Sequence, residues 1–404
     1  MIRFTPMEVK LNIRTDRENT FSARFAGLFA TAAFLLAGVS CVSQPQTPAG
    51  PAAANQPIRV GLFLDEGCQG NGVLRWAQLI EYSPELELVP LTGKDIREGR
   101  LQGLRLLVCP GGGSARQLKA MQPRGAALVK QFIADGGSYV GACAGCYNVL
   151  NRQGRMGLLP YDYIKNASGK YAALTVDFSE AGAKRLGIKT GRCQVRYHGG
   201  PVLRPTAPTG RGSGETVAVY KSSSGRPDRA PYNFLDTPSA IYGTYGKGKV
   251  IATSFHPESW DGTHDIALGC IYAVTGVKPR PVYPEKSWRR IRVGFCICGP
   301  VSPRTVHKML MADRHPELDV QLISSQEILE GLLNHLDIIF VPEGKRESYQ
   351  AVMKNPIWKN GVQTFMDRGG LVLAEGNGVG FVPAHANLKV LQPGDDLTAR
   401  LRKP

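Results

Sequence analysis

Three residues in this sequence have the types and the spacing for thiol chemistry. Cys143 lies in Gly141-Ala142-Cys143-Ala144-Gly145, between a short apolar run from Ser138 to Val140 and a helix-like segment from Cys146 to Leu150. A cysteine at such a strand-to-helix turn is the thiol form of a nucleophile elbow. The sharp turn lifts the side chain above a sheet, and the flanking glycines let neighbouring backbone close in. The helix that follows offers its positive end to a thiolate. A thiol nucleophile needs a base, and the base needs a carboxylate to orient it. His256-Pro257-Glu258, 113 residues after Cys143, offers both at the end of an apolar strand, with Pro257 stiffening the segment. The competing reading is a buried Cys143 that packs as a small hydrophobe.

These residues need a scaffold, and the surrounding sequence alternates strand with helix. Ile58 to Leu64, Leu86 to Leu91 and Leu104 to Cys109 read as strands; Val73 to Tyr82, Lys94 to Gly99 and Ala126 to Ala134 read as helices. Such alternation predicts an α/β fold: a Rossmann-like parallel sheet with helices on both faces and sites beyond the C-terminal strand ends. The Asp65 loop, the Gly111 loop and the Cys143 turn all fall at such ends. Gly111-Gly112-Gly113 is either a flexible turn or, together with Ala144, a source of backbone N–H groups for an oxyanion. Residues 151–244 read as a strand-rich insertion, closed by a helix from Asp265 to Val274. His198, beside Gly199-Gly200, could contact substrate, although a lone exposed histidine is more often incidental, and His264 has less in its favour.

Taken in order, several motifs resemble one family. They are Arg59-Val-Gly-Leu-Phe-Leu-Asp65-Glu-Gly67, Cys109-Pro-Gly-Gly-Gly113, the Cys143 turn, Tyr197-His-Gly199-Gly200-Pro-Val202 and His256-Pro-Glu258. Over about residues 58–280 the chain resembles the biotin-protein ligase N-terminal domain family, within the class I glutamine amidotransferase-like fold. The resemblance implies Cys143, His256 and Glu258 as catalytic residues. It implies Gly112, Gly113, Ala144, Gly199 and Gly200 as oxyanion or substrate-binding positions. It does not imply biotin ligation, because the Gly-rich biotin-adenylating motif is not in the sequence. No cofactor or metal is expected: no phosphate loop follows the first strand, and Cys296-x-Cys298 lacks a second pair at zinc spacing.

After a Pro-rich linker at 278–290 the pattern starts again. Ile291-Arg-Val-Gly-Phe repeats Ile58-Arg-Val-Gly-Leu, and Gly369-Gly370-Leu-Val-Leu repeats Gly136-Gly137-Ser-Tyr-Val, both at an offset of 233. Residues 291–404 therefore read as a degenerate second half-copy. Gly376 stands where Cys143 would be and no His-Pro-Glu follows, so this copy should be catalytically silent. It is expected to pack on the first domain or to bind a protein partner.

Residues 1–41 read as an export signal. Arg3, Lys10, Arg14, Arg17 and Arg24 precede an apolar run from Phe25 to Val39, which is short of the ~20 residues of a membrane span. Gly38-Val39-Ser40-Cys41 resembles a bacterial lipobox, with Cys41 as the lipidated residue. Residues 42–57, rich in Gln, Pro and Ala, read as a tether, leaving 58–277 as the first folded domain. The expected location is the periplasmic side of the cell envelope, with a lipid anchor in a membrane. The 404 residues are 43% hydrophobic and 20% charged, which suits a globular core. The net charge of +16 is scattered rather than interleaved with aromatics, so nucleic acid is not an expected partner. The chemistry expected is thiol-based amide hydrolysis or acyl transfer on a small amide or peptide-like substrate. Two alternatives stay open. One is a non-catalytic envelope binding or scaffold module; the other is a redox protein using Cys143-Ala-Gly-Cys146, in which Cys146 matters as much as Cys143.

Overall fold

The computed structural model describes residues 9–12 and 56–391, apart from 166, 168–171, 209–211, 224–233, 288–289, 324–331, 345, 377 and 379–387. It divides into two compact units: Pro51–Tyr283 with Pro300–Pro303, and Met1–Gly50 with Pro284–Gly299 and Arg304–Pro404. The first strand, β1 (Val9–Asn12), belongs to the sheet of the latter unit.

The unit that carries Cys143 is built on a nine-stranded sheet. Five strands run parallel in the order β3-β2-β4-β5-β12: β2 (Ile58–Phe63), β3 (Leu86–Leu91), β4 (Leu106–Cys109), β5 (Ser138–Ala142) and β12 (Gly248–Thr253). Every residue of β4 and β5 is buried, as expected of parallel strands covered on both faces. The covering helices include α1 (Gly70–Glu81), α2 (Gly93–Arg97), α3 (Ser114–Ala134), α4 (Ala144–Val149), α5 (Glu180–Leu186) and α6 (His264–Thr275). Helix α3 begins at Ser114 rather than Ala126. Pro123 interrupts the helical pattern, and Gln122 takes φ 60 where two helical pieces meet.

The strand-rich insertion proves to be the outer half of the same sheet. β7 (Ala172–Phe178), β8 (Gly191–Tyr197), β10 (Glu215–Tyr220) and β11 (Pro238–Tyr245) continue it from β12 in the antiparallel order β12-β11-β10-β7-β8. β7 alternates buried and more exposed residues along much of its length, the mark of a strand packed on one face. β6 (Tyr161–Tyr163) and β9 (Leu203–Pro205) pair separately.

The other unit repeats the strand order of the first. β13 (Ile291–Cys296), β14 (Leu318–Ile323), β15 (Ile338–Val341) and β16 (Leu371–Glu375) lie parallel as β14-β13-β15-β16, matching β3-β2-β4-β5. Where β12 lies beside β5 in the first unit, β1 lies antiparallel beside β16, and β17 (Leu388–Leu391) pairs with its other side. Its helices include α7 (Pro303–Arg314), α8 (Arg346–Met353) and α9 (Pro356–Asp367). Gly376 has φ 49, the same as Cys143, so the turn persists without its nucleophile. Glu343 stands where the first unit has Gly111 and lies against Gly376, while Lys308 pairs with the buried Glu375.

Val9–Asn12 lie inside the stretch read as an export signal. The rest of residues 1–41, including Cys41, and the tether up to residue 55 lie outside the described residues. Among the described residues no helix is long and apolar enough to cross a membrane.

Candidate active site

Cys143 sits between the end of β5 and the start of α4 with φ 49 and ψ −98, a strained conformation for a residue with a side chain. Glycines on either side make the turn possible. A Cβ on Gly145 would lie 2.1 Å from the Cys109 carbonyl oxygen, and one on Gly141 would lie 2.6 Å from the Gly145 backbone. Parallel pairing of β12 with β5 then brings the chain after Thr253 to the elbow. The Cys143 N–H donates to the Thr253 carbonyl at 2.9 Å, and the His256 N–H donates to the Arg196 carbonyl at 2.9 Å.

Three of the expected residues meet here. The His256 imidazole lies beside the Cys143 thiol, and His256 Nδ1 lies 2.9 Å from Glu258 Oε1. Cys143 is 4% exposed and Glu258 fully buried, so desolvation opposes charge throughout. Burial pushes the Cys143 thiol up, but the adjacent His256 and a hydrogen bond from the Gly112 N–H outweigh it and hold the thiol below its ordinary value. Burial pulls His256 down, but Cys143 and Glu258 outweigh it and raise the imidazole to about 9. The arrangement favours a thiolate–imidazolium pair.

The glycine loop divides its roles in a way the sequence did not anticipate. Gly112, at φ 136, directs its N–H at the Cys143 sulfur. The Gly113 N–H instead donates to the Gly67 carbonyl at 2.7 Å, so its expected oxyanion role is corrected to a loop tie. The Gln69 N–H donates to the Gly111 carbonyl at 2.8 Å, which completes the zipper between the Asp65 and Gly111 loops. Ala144 is the first residue of α4, where an amide has no acceptor within its own helix. Gly111 lies flat against His256: a Cβ there would be 2.2 Å from His256 Cε1.

Gly199 borders the site, with φ 70 and a carbonyl that accepts the Tyr147 hydroxyl at 3.4 Å. Gly200 is a packing position, since a Cβ there would lie 1.7 Å from the Ser254 carbonyl oxygen. His198 meets Cys143 through its backbone, the carbonyl accepting the thiol at 3.5 Å. His264 Nε2 lies 3.2 Å from the Glu258 carbonyl, a brace on the carboxylate's own backbone. A buried polar chain behind the elbow had no sequence signal beyond lone polar residues in apolar surroundings. Gln117 donates to the Pro110 carbonyl at 2.9 Å, Asn148 donates to Gln117 at 2.8 Å, and Ser114 donates to Asn148 at 2.7 Å. Cys146 is wholly buried on α4, and desolvation holds its thiol well above the ordinary value. Among the described residues every cysteine is free, and no cluster of His, Cys, Asp and Glu is grouped to hold a metal.

The biotin-protein ligase N-terminal family matches residues 94–152, the part of the chain that holds β4, α3, β5, the elbow and α4. No sequence relative is found among curated proteins. Among solved structures, a glutamine amidotransferase is similar at 19% identity, over 54% of this chain and 99% of that one, with a TM-score of 0.38. PurLQS from Thermotoga maritima is similar at 15% identity over 54% and 98%, with a TM-score of 0.37. A ThuA-like protein from Bacteroides uniformis is similar at 14% identity over 56% and 95%, with a TM-score of 0.41. The parallel order β3-β2-β4-β5-β12, its covering helices and the elbow after β5 make this a parallel-rich α/β domain, and its stretch from residue 94 to 152 is similar to the biotin-protein ligase N-terminal family. A partial second copy follows it.

Proposed function

We propose that the first unit is a cysteine-nucleophile amidohydrolase or acyltransferase acting on a small amide or peptide-like substrate. The Cys143 thiolate attacks the amide carbonyl carbon, and the N–H groups of Gly112 and Ala144 receive the oxyanion. The His256 imidazolium gives its proton to the leaving nitrogen as the C–N bond breaks, leaving a thioester. Water or an acceptor nucleophile then attacks the thioester, His256 takes its proton, and Cys143 leaves as thiolate. Glu258 holds the His256 ring and stabilises its charge. The observation that carries this reading is Cys143 at a strained elbow with His256 beside it and His256 Nδ1 held 2.9 Å from the buried Glu258 Oε1.

The test is the rate of iodoacetamide alkylation at Cys143 against pH, read by mass spectrometry, in the wild type and in Cys146→Ala. The expected profile levels off below the ~8.5 of a free thiol and is the same in both proteins. An ordinary thiol profile would favour the binding-module alternative. A profile that collapses in Cys146→Ala would favour redox chemistry.

The charged start, the apolar run and Cys41 support a further part of the reading, that the protein is exported and lipid-anchored. Cys41→Ser is expected to move it from the membrane fraction to the soluble fraction. Unchanged membrane partition would sink the anchor. The second unit, lacking the nucleophile, serves as a packing or partner-binding module.

A further inference from the structure

The last residues of the first unit, 278–283, are tied back onto it as a strap before the chain enters the second unit. The backbone N–H and the Nε of Arg280 each donate to the Glu85 carboxylate at 3.0 Å. The Val282 N–H donates to the Tyr82 carbonyl at 2.7 Å, and the Tyr283 ring meets that of Tyr82 edge-on, with centroids 5.8 Å apart. Tyr82 and Glu85 lie between α1 and β3, so the strap is fastened to the body of the unit. Pro279, Pro281 and Pro284 restrict its backbone, and these ties therefore fix where Tyr283 lies.

From Tyr283 a line of contacts runs to the triad. The Tyr283 hydroxyl lies 3.4 Å from His264 Nδ1, and His264 Nε2 lies 3.2 Å from the Glu258 carbonyl oxygen. A carbonyl only accepts, so Nε2 carries the proton, Nδ1 accepts and the Tyr283 hydroxyl donates. Burial holds His264 below its ordinary value, which keeps the ring neutral in this tautomer. The charged groups around it are Asp261, 3.8 Å from Nε2, and Arg75 of α1. The neighbouring Thr263 hydroxyl donates to the Pro257 carbonyl at 2.8 Å. The residues that open α6 thus grip Pro257 and Glu258 by their backbones, and the strap holds the far side of the His264 ring.

We infer that the strap leading to the second unit positions the triad: Tyr283, acting through His264, holds the segment that carries Glu258 against His256, so that releasing the strap weakens the Cys143–His256 pair. This deepens the reading of Cys143 as the nucleophile and rests on it. The titratable groups facing the His256 ring are Cys143, Glu258 and His198, and Glu258 is among those that raise its proton affinity. A loosened Glu258 therefore lowers the pH at which the ring gives up its proton. The test is the titration of the His256 imidazole by NMR in the full chain, its signal assigned by loss in His256→Ala. The wild-type ring is expected to titrate near about 9. His264→Ala removes no charge, yet lowers that midpoint by about half a unit to one unit, the scale of one hydrogen bond. His264→Gln, whose amide N–H replaces the Nε2–H, restores most of it. Tyr283→Phe and Arg280→Ala, both surface changes that leave the core intact, lower it in the same direction by less. A support of the fold alone would lower the thermal midpoint and leave the His256 titration in place, and that result in His264→Ala overturns the positioning role. A shift in His264→Ala with none in Tyr283→Phe or Arg280→Ala overturns the part given to the strap. A wild-type His256 that titrates near the ordinary ~6.5 overturns the thiolate–imidazolium reading and this inference together.

Discussion

At pH 7, His256→Ala slows iodoacetamide alkylation of Cys143 by at least about 30-fold, because a free thiol at that pH is only a few per cent thiolate. Opposing effects act on this thiol. Burial is the largest influence on Cys143 and pushes the thiol up; His256 is the main influence that reverses it. Removing the imidazole leaves burial and the nearby Glu258 charge acting in the same direction, so the thiol rises above its ordinary value. The alkylation profile should then move to alkaline pH. Turnover of any amide substrate should fall by roughly 10⁴-fold or more, as for other nucleophile–base pairs. The pH dependence has a definite sign in the wild type. Activity is lost on the acid side as the depressed Cys143 thiolate takes a proton. It is lost on the alkaline side as His256 gives up its proton near about 9, because the leaving nitrogen then has no acid. An His256→Ala protein that alkylates at the wild-type rate would exclude the thiolate–imidazolium pair.

Gly111→Ala is expected to cost at least about 100-fold in turnover, the scale of a 1 Å misplacement at a reacting centre, while the fold survives. The added methyl would lie 2.2 Å from His256 Cε1 and 3.0 Å from Nδ1. The ring cannot give way without loosening its bond to Glu258 or shifting against the Cys143 thiol. Gly111 has no positive φ, so alanine fits the local backbone and the strain falls on the histidine. Overpacking of this kind typically costs about 1–3 kcal/mol. Gly113→Ala is the matched control. Its methyl would meet the Nε of the exposed Arg116 at 2.9 Å, a flexible side chain that can move aside. Circular dichroism and Cys143 alkylation together check the pair. Equal behaviour of the two variants would show that His256 does not depend on the flat face of Gly111.

Much of this protein is determined by short stretches whose physics is local. A cysteine between glycines at a strand end needs no distant partner to specify an elbow, and Cys143 adopts it. His256 and Glu258, two apart around a proline, sit side by side for the same reason. The internal repeat is legible because equivalent turns recur at a nearly constant offset, and the two sheets share the strand order that this implies. What the sequence left open depends on partners far along the chain. Nothing local in β7, β8, β10 and β11 says that they extend the parallel sheet rather than form a layer of their own; pairing of β11 with β12 decides it. Gly112 and Gly113 are alike as letters, and only the position of the Gly67 carbonyl takes one amide away from the sulfur. Gln117 and Asn148 acquire a role only when α3 and α4 pack together. The thiol of Cys143 is lowered rather than raised because β5 and β12 lie side by side, which sets His256 against it in a place from which water is excluded.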